Sequence, residues 1–445
     1  LLSWLKAELL RAKNSIVYRQ IAGRYQQQLC GCILGISGRY FLRATFYSTT
    51  WATQWPTPGN MSSANASISQ APVSGEIAEI ISSTELATLF CGAKDVYGLA
   101  HALNAAQPLH QRHYPHSKPR PVTAKVLNYY VYGKAERYST FKLRKRQAGE
   151  FREVKAPEPV LKRLQRLLLL CLTASFPNFD KAAHGFVPGR SVLTNATPHV
   201  GRRLVLNVDI RQFFPSTTAG RVASVLQLKP FELEKSVAYL VANLCCDQGS
   251  LPQGAPTSPF LANLVCQKLD RRLRQLATRY YCTYTRYADD LTFSSSRSVF
   301  TEQFHNELST EITKAGYELN EKKERLQTRG MRQEVTGVVV NQKPNVSRKY
   351  RRQLRAILHN WSKDKEKAIA KFHETYASSA GSRRRRGRLP SLARVMAGKI
   401  AYLGMIRGKE DELYQRFAHY LALQINSDYA EIQQALDILS QISAL

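Results

Sequence analysis

The sequence predicts an α+β fold, on three observations. Leu204 to Val208 is an apolar run of strand length broken only by Asn207. Tyr281-Cys-Thr-Tyr-Thr-Arg-Tyr-Ala-Asp-Asp-Leu-Thr-Phe-Ser294 alternates through a tight turn, as two antiparallel strands do. Val160 to Thr173 and Val346 to Trp361 instead place their apolar residues on a helical period.

Residues 1–80 stand apart. Leu1 to Leu42 has helical and basic character, and from Ser48 to Ser74 the composition shifts to Ser, Thr, Ala, Pro and Gly, which reads as a linker. No function follows from this extension. Glu79 to Phe90 has a helical pattern that Tyr97 to His101 continues. His110 to Pro121 reads as a loop with clustered His, in which Pro breaks any regular ligand spacing. Val160 to Thr173 reads as a helix packed on one side and solvated on the other. After Asn341 the chain turns helical and basic, opening with a cap at Ser347. The Arg383-Arg-Arg-Arg386 run, with Arg388, reads as a phosphate-contacting loop, and Leu392 to Met405 and Leu413 to Leu445 complete a helical C-terminal domain. The expected division is therefore 1–80, 81–341 and 342–445.

Chemistry concentrates at the turn of the hairpin. Asp289 and Asp290 are adjacent carboxylates that repel each other unless a cation lies between them, and hard oxygen ligands favour Mg²⁺ or Mn²⁺. Asp209 falls where the Leu204–Val208 strand ends. Three carboxylates on neighbouring strand ends can hold two metal ions about 3.5–4 Å apart, an arrangement suited to in-line phosphoryl transfer.

Six blocks in order surround these residues. They are Phe141 to Arg152, His184-Gly-Phe-Val-Pro-Gly-Arg-Ser191, Asn207 to Ser216, Leu251-Pro-Gln-Gly-Ala-Pro-Thr-Ser-Pro-Phe-Leu-Ala-Asn263, Tyr287-Ala-Asp-Asp290 and Gly316-Tyr-Glu-Leu-Asn-Glu-Lys-Lys323. In these blocks the chain resembles a reverse transcriptase. The resemblance implies a right-hand polymerase, with fingers and palm around an antiparallel sheet, a helical thumb and an N-terminal extension. It implies RNA-directed DNA polymerase activity with two Mg²⁺ ions, Mn²⁺ being the alternative, on Asp209, Asp289 and Asp290. Arg146, Arg152, Ile210, Phe214, Gln253 and Gly254 are then expected at the dNTP. Phe214 is expected to exclude a 2′-hydroxyl, and Gly254 to let backbone approach the nucleotide. Lys323, or Lys322 in the alternative register, resembles the lysine proposed as general acid for pyrophosphate. Glu324 follows where the family usually has Thr, a departure that bears on the lysine and not on the carboxylates.

Two further elements are similar to those of retron reverse transcriptases: Asn195-Ala-Thr-Pro-His199, and Val335-Thr-Gly337 continuing into Val-Val-Val-Asn341. In that family they contact a cognate structured non-coding RNA, so Asn195, His199, Val335, Thr336 and Gly337 are expected to bind RNA. Arg348, Lys349, Arg351 and Arg352 are expected to do so from the thumb. The resemblance further implies priming from a 2′-hydroxyl, a single-stranded DNA product branched from RNA, and a separate effector protein in anti-phage defence. A group II intron-like or other defence reverse transcriptase is the alternative. A catalytically idle RNA-binding scaffold is opposed by the intact carboxylates, which would destabilise a protein that never binds metal.

Composition agrees with a polyanionic partner. Lys and Arg number 64 against 33 Asp and Glu, a net charge of +31. Hydrophobic residues make up 44% of the 445, ample for a sizeable core. The eight cysteines lack the paired spacing of a zinc site, and free thiols in a reducing cytoplasm are expected. No stretch is long and apolar enough to span a membrane, and no membrane partner is expected.

Overall fold

The computed structural model describes residues 81–133, 137–144, 151–379 and 390–425. Residues 1–80, Arg146 and the 383–388 basic run lie outside the described residues, as does the chain beyond 425. The fold is α+β, with helices packed around small antiparallel sheets. Contacts group the described chain into two units, 81–190 with 203–327, and 191–202 with 328–425. The linear division expected at 341/342 differs from this grouping. Residues 191–202 join the later unit because the short helix Val192–Ala196 packs on a hairpin that follows residue 328.

In the larger unit, strands β1 (Tyr138–Arg144) and β2 (Phe151–Pro157) form an antiparallel ribbon. Helix Pro159–Ser175 follows, with Pro in its first turn and Glu158 accepting from the N–H groups of Val160 and Leu161. It buries Leu161, Leu164, Leu168, Cys171 and Leu172 along one stripe, as its period predicts. Two local expectations change. The pattern from Glu79 to His101 is two helices, Ser83–Cys91 and Val96–Ala105, because Gly92 closes the first and the Asp95 carboxylate caps the second. The expected His-rich loop begins as helix Gln107–His113, since Pro108 starts a helix without loss and His110, Arg112 and His113 fall in its last turn.

The central sheet has the order β4-β5-β3-β6. Strand β3 (Leu204–Asp209) pairs antiparallel with β5 (Asp290–Ser295), and β4 (Thr283–Tyr287) completes the hairpin with β5. Strand β6 is Arg325–Thr328. Leu291 through Ser295 are all buried, so β5 is covered on both faces. Phe293 stacks on Tyr284 at 4.8 Å and meets Phe304 edge-on at 5.4 Å, which seats helix Glu302–Lys314 through Phe304, Leu308 and Ile312.

The hairpin is held from within by a buried charge. Arg286 on β4 is fully buried and donates to both oxygens of Asp270 on helix Gln267–Arg279, at 2.8 and 2.6 Å. Its remaining nitrogen donates to Asn263 Oδ1 at 2.9 Å and to the carbonyl of Ala288 at 3.2 Å. Tyr284 donates its hydroxyl to Asp270 at 2.9 Å. Burial disfavours the guanidinium charge, but the Asp270 carboxylate outweighs it and holds Arg286 well above its ordinary pKa. Residues 182–185 run alongside as a strap: Arg286 N–H donates to Ala182 O and His184 N–H to Arg286 O, both at 2.7 Å. Asn263 donates to Gly185 O at 2.8 Å. A Cβ at Gly185 would lie 2.5 Å from the Ala288 nitrogen, so only glycine lets the strap lie this close to the turn.

In the smaller unit, β7 (Glu334–Val335) and β8 (Val338–Val339) are joined by Thr336 and Gly337, both at positive φ (46° and 86°). That is the primed two-residue turn favoured between twisted strands. Helix Arg348–Lys363 starts at the expected Ser347 cap and buries Leu354, Leu358 and Trp361. Arg348, Lys349 and Arg352 are exposed on it. Asp364 separates it from helix Lys365–Ser379, and Tyr350 donates to the Lys399 carbonyl of helix Leu392–Arg407 at 2.9 Å. No described helix is long and apolar enough to cross a membrane.

Removing one member of a buried, hydrogen-bonded ion pair strands the other charge, at about 3–5 kcal/mol. Asp270→Asn is expected to lower stability by that amount, read as a shift in the urea midpoint of the full chain. The paired change Asp270→Leu with Arg286→Met is expected to recover most of the loss. An unshifted midpoint for Asp270→Asn would show that the pair does not hold the hairpin.

Candidate active site

The β3–β5 register sets Asp209 directly across from Asp290. The β4–β5 register pairs Tyr287 with Asp290, which leaves Ala288 and Asp289 as a two-residue turn with Ala288 at φ 58°. The turn is tied to β3 where the Ile210 N–H donates to the Asp289 carbonyl at 2.9 Å. All three carboxylates therefore sit at one end of the central sheet. Asp209 is buried, and Asp289 and Asp290 are half-buried.

The last sequence block reaches the same place from the other side. Arg211 N–H donates to Glu318 O and Asn320 N–H to Asp209 O, both at 2.8 Å, so residues 318–320 run beside the end of β3. From there the Lys323 ammonium lies 3.0 and 2.9 Å from the two oxygens of Asp209, and Asn320 Nδ2 donates to one of them at 3.3 Å. Of the two candidate lysines, Lys323 makes this contact. Glu324, where the related pattern has Thr, lies with a carboxylate oxygen 3.2 Å from His305 Nδ1.

Burial raises the pKa of Asp289 above the usual carboxylate range, and the Asp209 charge raises it further, against the pull of Lys323 and Arg152. Burial likewise raises Asp290, with Asp289 and Asp209 adding to it. The site thus holds more negative charge than its neighbours neutralise, and its donors are all hard oxygens, which suits a divalent cation. Among the described residues no group of three or more His, Cys, Asp or Glu is arranged to hold a metal ion. Both oxygens of Asp209 are instead in contact with Lys323.

The described residues expected at the dNTP all belong to the larger unit. Phe214 is half-buried, 5.3 Å from Phe213 and 6.4 Å from Phe186 between ring centroids. Arg152 is on β2, and its charge is felt at Asp289. Ile210 is buried, with its N–H spent on the turn. The Gln253 carbonyl accepts from Lys155 N–H at 2.9 Å. Gly254, at φ 137°, packs against the Lys155 carbonyl: a Cβ at Gly254 would lie 2.4 Å from it. Lys155 Nζ donates to Asp247 at 2.6 Å and to Gln248 at 3.0 Å, which fastens the β1–β2 ribbon to this loop.

The residues expected to bind RNA are in the smaller unit. Asn195 and His199 are fully buried, and the Asn195 amide donates to Thr336 Oγ1 at 3.3 Å across 141 residues of sequence. The structure brings the two elements together, with Asn195 and Val335 inside and Gly337 exposed. Arg351 is half-buried, whereas Arg348, Lys349 and Arg352 face solvent.

Sequence reasoning missed the residues that support the turn carrying Asp289. Arg286, Asp270, Asn263 and Gly185 show themselves only through their partners. The one available signal was a charge at position 286 within an otherwise buried strand.

The family profile described as reverse transcriptase (RNA-dependent DNA polymerase) matches residues 143–405. Over 277 residues the chain is 41% identical to the retron Mx65 reverse transcriptase of Myxococcus xanthus, covering 57% of this chain and 63% of that one. It is 39% identical over 263 residues to the retron Mx162 reverse transcriptase of the same organism, covering 52% and 54%. It is 32% identical over 259 residues to the retron Ec86 reverse transcriptase of Escherichia coli, covering 58% and 80%. The chain thus spans less than two thirds of the length of the two Myxococcus xanthus relatives. On the matched profile and these identities, the chain belongs to the reverse transcriptase family, in its retron-type branch.

Proposed function

We propose that this protein is an RNA-directed DNA polymerase that copies a cognate structured non-coding RNA into single-stranded DNA. The observation that carries the reading is the meeting of Asp209, Asp289 and Asp290 at one sheet end, with Lys323 on Asp209. Asp209, Asp289 and Asp290 would hold Mg²⁺, or Mn²⁺, which supplies a Lewis acid for the attacking hydroxyl and the departing pyrophosphate. The chain's own groups do the rest. Lys323 is an exposed ammonium in contact with Asp209 and can give a proton to the leaving group. Arg152 offers a fork for the triphosphate. The Phe214 ring, braced by its neighbours, restricts the sugar to a deoxyribose. Arg348, Lys349 and Arg352 present exposed positive charge to a phosphate backbone.

The finer features of the proposal are a branched product primed from a 2′-hydroxyl, anti-phage defence with a separate effector protein, and a cytoplasmic site of action. The support for cognate-RNA recognition is the buried Asn195–Thr336 contact, which fixes an exposed turn in a charged unit. Recognition through that turn makes Asn195 and His199 its internal supports.

Asp289→Asn and Asp290→Asn are each expected to cut DNA synthesis by roughly 10³-fold or more, several kcal/mol of transition-state stabilisation, while RNA binding is retained. Chelation with EDTA should abolish synthesis and added Mg²⁺ restore it. Robust synthesis by either variant would sink the carboxylate assignment. Changing Asn195 and His199 together to Ala is expected to impair use of the cognate RNA more than extension of a generic primed template. Equal losses on both substrates would assign the pair to folding alone. The nucleic acid that co-purifies with the protein from its native locus is expected to contain a single-stranded DNA whose mobility shifts on treatment with a debranching enzyme. Linear DNA without a branch would instead point to another mode of priming or to a product processed after synthesis.

A further inference from the structure

Phe186 is held in a conformation that large L-residues avoid. Its φ is 61°, in the left-handed region, which costs a non-glycine residue about 1–3 kcal/mol. Glycine or Asn would take that backbone at lower cost. The sequence nevertheless places an aromatic there, immediately after the strap that is fastened to β4.

The strap explains how the strain is maintained. His184 and Gly185 are fixed by the Arg286 carbonyl and the Asn263 amide, and Gly185 lies against the Tyr287–Ala288 backbone. Phe186 is the first residue free to turn away, and its ring enters the gap between two groups of the proposed site. Its centroid lies 6.4 Å from that of Phe214, at 51°, and 6.4 Å from that of Tyr287, at 39°. Phe213 supports Phe214 from another side at 5.3 Å and is itself stacked on Tyr317 at 5.9 Å. Phe214 therefore has two aromatic supports, and Phe186 is the one that connects it to the turn carrying Asp289.

We propose that Phe186 is a positioning residue for sugar discrimination: it braces the Phe214 ring so that the ring cannot yield to a 2′-hydroxyl. The inference rests on the reading of Phe214 as the sugar-excluding residue and adds a second residue to it. Steric exclusion works only against a wall that stays in place. A half-buried phenyl can rotate into any space beside it at small cost, and deleting Phe186 opens such a space on the side of Tyr287.

The test is single-nucleotide incorporation by the full chain on a primed RNA template, with a dNTP and the matching rNTP. Wild type, Phe214→Val, Phe186→Ala, Phe186→Leu and Phe186→Tyr are compared by the ratio of kcat/KM for dNTP over rNTP. Phe186→Ala is expected to lower that ratio by about tenfold or more, mainly through a lower rNTP KM, a size typical of discrimination by shape alone. Phe186→Leu, which keeps apolar volume without the flat ring, should lower it less, and Phe186→Tyr should restore it. Should Phe186→Ala fail to fold, the Leu and Tyr variants carry the comparison. If Phe214→Val leaves the ratio unchanged, the reading of Phe214 fails and the inference with it. If Phe214→Val relaxes the ratio while the Phe186 variants lose dNTP and rNTP use by the same factor, Phe186 only fills space and the inference is overturned.

Discussion

Arg286 brings a full positive charge into the interior of the central sheet, and the geometry of the catalytic end follows from how that charge is satisfied. A buried guanidinium has to find acceptors for all its donors within the protein. Of its five N–H groups, Asp270 takes two, Asn263 one and the carbonyl of Ala288 another. The final contact is the informative one, because it reaches into the turn that presents Asp289. The main chain of Arg286 also carries the strap at 182–185, so one residue fixes helix Gln267–Arg279, the strap and the turn together. Buried pairs of this kind contribute little net stability against an apolar replacement, but they tolerate few alternative arrangements.

Around that fixed point the site carries two opposed demands. Its carboxylates are crowded and partly withdrawn from water, which favours protonation or a cation. Beside them lies an aromatic row, with Tyr287, Phe186, Phe214, Phe213 and Tyr317 in successive ring contacts. The row ends at Tyr317, whose hydroxyl contacts Thr217 at 3.0 Å and whose ring lies under Arg221 at 4.1 Å. The carboxylates and the aromatic row are thus drawn from the same sequence blocks.

The parts of this arrangement that were legible in the sequence are those encoded by short-range pattern. Asp289 and Asp290 at a hairpin turn, Asp209 at a strand end, the Ser347 cap and the stripe of helix Pro159–Ser175 each depend on neighbours a few residues away. What was not legible depends on distant partners. Gly254 was readable as a site of close approach, but not that the approaching group is the Lys155 carbonyl. Lys322 and Lys323 were indistinguishable until the path of residues 318–320 beside β3 was known. Asn195 and His199 stood out in the sequence as one element and Thr336 in another, whereas the contact between them and the complete burial of Asn195 and His199 emerge only from the packing of helix Val192–Ala196 on β7 and β8. The His-rich segment misled at its start, because Pro108, just ahead of it, stands in the first turn of a helix, where Pro is welcome, and that helix runs on to His113.

The tie between Asn195 and Thr336 also bears on the order in which the protein is made. The smaller unit is discontinuous in sequence, and its first piece, 191–202, leaves the ribosome long before 328–339 exists. Until then a short helix with buried polar groups waits without its hairpin, while the whole of 203–327 is synthesised and can assemble its own sheet. Vectorial synthesis therefore favours completion of the carboxylate-bearing unit first, and closure of the second only once its late strands appear. A chain interrupted after residue 327 would carry every proposed catalytic residue yet leave the 191–202 segment permanently without the strands it packs against.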